Sequence, residues 1–179
     1  MSVAAEQVRA ERPAAEEHAP YYGRYIAQVA DGDVVAILEK QTEDFAGVMR
    51  WVPEAKAGHR YAEGKWSVRE VVGHLSDSER IFTYRALRIA RNDQTPLPGF
   101  DEKSFVANGT FEQRTLTNVL DEFLAVRRAS IALFGSFTAD EWLRRGTASD
   151  KPISVRALAW IVAGHERHHL KMLRESYGV

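Results

Sequence analysis

Apolar residues recur along this chain at spacings of three and four, the period of helices with one face turned inward. From Asp33, the positions Val34, Ile37, Leu38, Phe45, Val48 and Met49 predict a helix that ends before Pro53, with Gln41 interrupting the stripe from inside. Ser67-Val-Arg-Glu70 has the form of a capping box, in which a hydroxyl and a carboxylate three residues apart satisfy each other's free backbone N–H groups. It opens a second helix reaching about Arg91, with Val71, His74, Leu75, Ser78, Ile81 and Phe82 on the inner face. A third helix, from about Thr115 to Phe134, turns Leu116, Leu120, Phe123, Leu124, Ile131 and Phe134 inward and leaves Arg127 in the middle of that arc. Thr138-Ala-Asp-Glu141 is another capping box and opens a short helix around Trp142, with Gly146 as its stop. The last helix starts at Ser154. Its stripe runs Leu158, Val162, Met172, with His165 and His169 filling the two intermediate places.

Four such stripes, joined by one long connection, are most simply buried in an all-α four-helix bundle, whose core is also where such folds build metal sites. The long connection, Asn92 to Gly109, contains Pro96, Pro98 and Gly99 and predicts an extended crossover loop between the second and third helices, either a lid or a topological link. Residues 1–18 are rich in Ala, Glu and Arg without a sustained apolar period, which predicts a loose arm ahead of a single domain spanning residues 19–179. That domain begins with a docking segment, Pro20 to Ile26. No segment of useful length has the period of a strand.

Composition narrows the function classes. With 24 basic and 25 acidic residues the net charge is −1, which gives no electrostatic reason to expect nucleic acid. No apolar run approaches the roughly 18 residues of a membrane span, and the N-terminus has no apolar signal region, so a cytoplasmic protein is expected. The chain has no cysteine, which removes disulfides and cysteine nucleophiles. Any thiol chemistry would use an imported thiol, and any metal would be held by histidine and carboxylate, a donor set that suits Zn²⁺, Ni²⁺ and related ions.

His165 and His169, four residues apart on one helical face, have metal-ligand spacing on a surface that faces inward. His74 lies on another inward face and could converge with them. The alternative is three separately hydrogen-bonded core histidines, each needing its own partners, whereas one ion satisfies all three together. Three imidazole ligands leave a coordination position open for water or substrate, and either a bound thiol or a bound water is then a nucleophile at neutral pH. Asp77, Glu79 and Glu166 lie near these histidines in sequence and are candidate hydrogen-bond acceptors or a general base, although such residues more often form a solvated helix face. Arg127 needs an anionic partner; an internal carboxylate is favoured over the carboxylate of a bound ligand. Gln41 either lines the same cavity or bonds a neighbouring helix. Trp66, Trp142 and Trp160 are expected to pack, and His18, His59 and His168 to be exposed or beside the site.

The stretches Trp66-Ser-Val-Arg-Glu-Val-Val-Gly-His74-Leu-Ser-Asp77-Ser-Glu79-Arg, Arg85-Ala-Leu-Arg-Ile-Ala-Arg91, Leu97-Pro-Gly-Phe-Asp101-Glu and Gly164-His-Glu-Arg-His-His169-Leu resemble the DinB-like family, the YfiT-type metal-dependent hydrolases. Tyr25, Arg60-Tyr61 and Arg127 also fall where that family places such residues. The resemblance implies an up-down-down-up bundle, a homodimer, and one Zn²⁺ or Ni²⁺ held by His74, His165 and His169. It further implies a thiol S-transferase, since characterised relatives use bacillithiol, mycothiol or glutathione and one is a mycothiol-dependent isomerase. The partners are then a small-molecule thiol and an electrophile, with Arg127 and Gln41 as candidate substrate contacts and neither nucleic acid nor membrane involved. A hydrolase using metal-bound water, and a stress-related dimeric interaction protein without turnover, are the competing readings.

Overall fold

The computed structural model describes residues 3–179, and its elements follow the predicted stripes with three additions. A first helix, α1 (Val3–Ala10), leads through short 3-10 turns into α2 (Gly23–Ile26). Then come α3 (Val34–Met49), α4 (Glu54–Ala57), α5 (Val68–Ala90), α6 (Glu102–Asn108), α7 (Leu116–Gly135) and α8 (Ala139–Leu143), followed by a hairpin of β1 (Arg145–Ala148) and β2 (Lys151–Ser154), and finally α9 (Val155–Tyr177). The caps explain the helix starts. Ser67 accepts from the Glu70 N–H while Glu70 reaches back to the Ser67 N–H, Thr138 and Glu141 repeat the device, and Asp33, Thr115 and Ser154 each accept from a first-turn amide.

The four long helices form the bundle. α3 and α5 each pack against both α7 and α9, so α3 lies diagonally across from α5. The core divides into two apolar clusters. One contains Leu38, Phe82, Ile89, Phe134, Trp142 and Trp160; the other contains Phe45, Val71, Leu75, Phe123 and Leu173. Between them, at mid-height, each long helix contributes a buried polar residue: Gln41, Glu79, Arg127 and Glu166.

The first addition is at the N-terminus, where residues 3–18 are not the loose arm that their composition predicts. Ala5 is buried in the first apolar cluster, Arg9 pairs with Asp33 at 2.6 Å, and Arg12 donates to the carbonyls of Ile26 and Val29 at 2.6 and 2.8 Å. Glu17 accepts from Ser154 at 2.7 Å and pairs with Arg156. These are long-range polar ties with no period, so no window of sequence displays them. The second is the β1–β2 hairpin, in which Ser149 and Asp150 both take positive φ, 52° and 60°, as a two-residue turn of the primed type requires. It escapes sequence patterning because each strand has four residues and one of them contains Pro152. The third is in the crossover. It contains α6, capped by Asp101, and is pinned to the hairpin where the Leu97 N–H donates to Thr147 and its carbonyl accepts from Ser149, at 2.9 and 3.0 Å. Buried Arg85 donates to the Pro98 carbonyl at 2.6 Å and fixes the same stretch from below. No helix among the described residues is long and apolar enough to cross a membrane.

Candidate metal centre

His74 on α5 and His165 and His169 on α9 converge. Their ring nitrogens lie within 4.8 Å of one another, and His165 Nε2 is 3.1 Å from both His74 Nε2 and His169 Nε2. All three residues are buried. A ring nitrogen carries either one proton or one lone pair, so His165 Nε2 can form a hydrogen bond with only one of its two close neighbours. One cation at the convergence point would use all three lone pairs, and nitrogens 3.1 Å apart are compatible with a shared ion about 2.0–2.1 Å from each. Burial pushes His74 down to about 4, and burial plus the neighbouring imidazoles holds His165 and His169 well below the ordinary histidine value. All three are therefore neutral at pH 7, the form that binds metal. The donor set fits a divalent ion.

The histidines form the floor of a cavity of about 250 Å³. Trp66, with its ring centroid 4.7 Å from that of His74, and Phe82 and Phe100 give it apolar walls. Ser149 from the hairpin turn and Glu102 from α6 also line it, brought together where the crossover is pinned to the hairpin. The remaining wall is the docking segment: Tyr25 meets His165 edge-on at 5.2 Å, and Arg24 stacks over Tyr21 at 3.9 Å and donates to the Tyr25 hydroxyl at 2.8 Å. Burial, reinforced by the Tyr21 hydroxyl, pushes Tyr25 up to about 12, so it remains a neutral phenol.

Gly164 makes this wall possible. A Cβ there would sit 2.1 Å from the Tyr25 carbonyl oxygen, so only glycine lets the segment lie on α9 directly above His165. We expect Gly164→Ala to lift the segment, destabilising the fold by about 1–3 kcal/mol and lowering Tm by several degrees. An unchanged Tm in a thermal melt would refute the contact.

The other candidates lie elsewhere. Arg127 is fully buried and does not reach the cavity; its Nε and Nη2 donate to both Glu79 oxygens at 2.9–3.1 Å, and its Nη1 lies 3.6 Å from Glu166 Oε2. The opposing charges of Glu79 and Glu166 outweigh burial and keep the guanidinium charged. Burial, with the repulsion of Glu79 added to it and Arg127 opposing, raises Glu166 to about 7. Asp77 faces Arg80 outside the cavity. Gln41 donates to the Ala163 carbonyl at 3.0 Å and borders a separate groove between α3 and α9, so it does not line the histidine cavity. Trp142 and Trp160 pack in the core, whereas Trp66 is half-buried and lines the site. His59 is exposed and His168 lies at the cavity edge, but His18 is buried with Nδ1 2.9 Å from the Ala19 carbonyl. Tyr21 and Arg24 were not among the sequence candidates. Three tyrosines and an arginine within Tyr21–Tyr25 were the available signal, a density of ligand-contacting residue types unusual for a docking turn.

The sequence model of the DinB superfamily matches residues 37–173, a span that contains all three histidines, the whole of α5 and most of α9. The chain belongs to the DinB superfamily. A relative from Oceanobacillus iheyensis, named as a "putative metal-dependent hydrolase", is 24% identical over 140 residues, covering 76% of this chain and 79% of the relative. YfiT from Bacillus subtilis, described as "a probable metal-dependent hydrolase with an unusual four-helix bundle topology", superposes with a TM-score of 0.72 at 18% identity, over 92% of this chain and 90% of that one. At that identity the likeness shows the fold alone. The chain is thus a DinB-superfamily member similar to a protein named as a metal-dependent hydrolase, and its own buried three-histidine cluster is suited to a metal ion.

Proposed function

We propose that this DinB-family protein is a metal-dependent transferase that activates a low-molecular-weight thiol for attack on an electrophile bound in the same cavity. A divalent ion held by three neutral imidazoles supplies Lewis acidity that keeps a thiol or a water deprotonated at neutral pH. The observation that favours thiol is the disposition of the carboxylates. Glu79 and Glu166 face Arg127 and Asp77 faces Arg80, so none of the three opens on the cavity as a general base; among the described residues the carboxylate that lines it is Glu102, which belongs to α6 in the crossover rather than to the helices that carry the histidines. A thiol needs no such base once its proton is lost, whereas hydrolysis by water is helped by one. Tyr25, neutral and fixed by Arg24, can donate a hydrogen bond from the cavity wall, and the Trp66, Phe82 and Phe100 rings give the reacting pair an apolar wall. Water-based hydrolysis is the second reading, favoured by the names of the two relatives.

Metal content measured on protein purified without a nickel column, followed by conjugation of 1-chloro-2,4-dinitrobenzene with a panel of thiols and hydrolysis of p-nitrophenyl acetate, separates the readings. Thiol-dependent turnover that disappears in His74→Ala is expected. A fully metal-loaded protein that conjugates none of the thiols but hydrolyses the ester would replace the transferase reading with the hydrolase.

A further inference from the structure

A second cavity, of about 390 Å³, adjoins the first, and the two share Trp66 and His169 as lining residues. The cleft therefore continues past the histidine cluster on the side away from Tyr25. Its character changes there. Tyr61, Tyr177 and Met172 give it apolar sides, and two lysines, Lys65 from the loop before α5 and Lys103 from the first turn of α6, stand over it. Tyr177 is held by a 2.7 Å hydrogen bond to the Trp66 carbonyl and meets Tyr61 edge-on at 4.9 Å, so the aromatic side is built rather than incidental. Lys65 lies over the Tyr61 ring, 5.6 Å from its centroid. Among the described residues neither ammonium forms an ion pair: Glu63, Asp101 and Glu102 lie within two residues of them in sequence but pair with neither, and Glu70 and Glu112 are engaged by Arg60. Two uncommitted cations above an aromatic trough are arranged to receive an anion on an apolar stem.

We propose that this cavity is the anion-recognising arm of the cleft: Lys65 and Lys103 hold the carboxylate end of an amphipathic substrate whose reacting end lies at His74, His165 and His169. The inference rests on reading the histidine cluster as the reacting centre, but it concerns different residues and fails separately. Both lysines are exposed, so exchanging them leaves the core untouched.

The test compares 6-mercaptohexanoate with 6-mercaptohexanol, which share a thiol and a stem and differ only at the far end. Binding is measured by isothermal titration calorimetry on zinc-loaded and on metal-free protein, for the wild type and for Lys65→Gln/Lys103→Gln, with zinc content determined separately. We expect the wild type to prefer the carboxylate about five- to tenfold. The preference should shrink in 0.5 M salt and fall to within twofold in the double variant, which still binds zinc like the wild type. Equal affinity for acid and alcohol, no binding of either, or a preference that survives in the double variant would each overturn the proposal. Failure of the wild type to bind zinc would refute the metal reading instead; the acid-to-alcohol ratio on the metal-free protein then decides the lysine arm by itself.

Discussion

Arg127→Met is expected to cost about 3–5 kcal/mol, because it removes the cation that pairs with two buried carboxylates. Arg127 is fully buried and Glu79 and Glu166 are nearly so, at 4% and 1% exposure, which leaves water little access to the charges that would remain. For a chain of this size that loss corresponds to a fall in Tm of about 6–20 °C. The pH dependence should change as well. A carboxyl whose folded value is raised, as Glu166 is to about 7, contributes stability that is full below its unfolded value of 4.5 and lost as pH rises through about 7. Without the arginine the raising cause, burial, is unopposed, so the Tm gap between variant and wild type should widen from pH 6 to pH 8. Thermal melts at both pH values check this. A variant with unchanged Tm but weakened substrate affinity would mean that Arg127 is a substrate clamp after all, and that the buried triad has been misassigned.

The residues of this triad show where sequence reading succeeded and where it stopped. A helical period converts sequence position into a face, so Gln41, Arg127, His74, His165 and His169 were visible as polar intrusions on apolar stripes, and all five are buried at mid-bundle or at its edge. Their partners were not visible. Asp77, Glu79 and Glu166 looked equivalent as acids near the histidines, and only the axial register of α5, α7 and α9 decides that Glu79 meets the guanidinium while Asp77 faces Arg80. The same limit hid the cavity wall. Tyr21, Arg24 and Tyr25 belong to a short turn with no period of its own, and they reach the site because Gly164 admits the Tyr25 backbone. The N-terminal strap was misjudged for a related reason: its anchors are Arg9, Arg12 and Glu17, which compositionally resemble a solvated tail and acquire meaning only from distant partners such as Asp33 and Arg156.

Zinc should raise the Tm of the wild-type protein and leave that of His74→Ala unchanged. An ion that binds only the folded state stabilises it by about 2.7 kcal/mol at a hundredfold excess over its dissociation constant, or about 5–11 °C here. His165 and His169 alone retain two of the three converging nitrogens, and the third comes from a different helix, so the variant also loses the tie between α5 and α9. The metal-free protein carries an independent signature. His74 has a folded value of about 4 against an ordinary 6.5, and His165 and His169 shift the same way because burial opposes their charging. The unfolded chain therefore binds more protons over this range, and stability that is complete above pH 6.5 is lost as pH falls towards 4, by up to about 1.4 kcal/mol per pH unit for each histidine titrating. Glu166 works in the opposite direction between 4.5 and about 7 but offsets only one proton, so the histidines should win. Tm of the metal-free protein should fall steeply between pH 6.5 and pH 4.5, and saturating zinc, which binds the neutral rings, should move that fall to lower pH. An equal zinc shift in wild type and His74→Ala would place the bound ion somewhere other than at the three converging nitrogens.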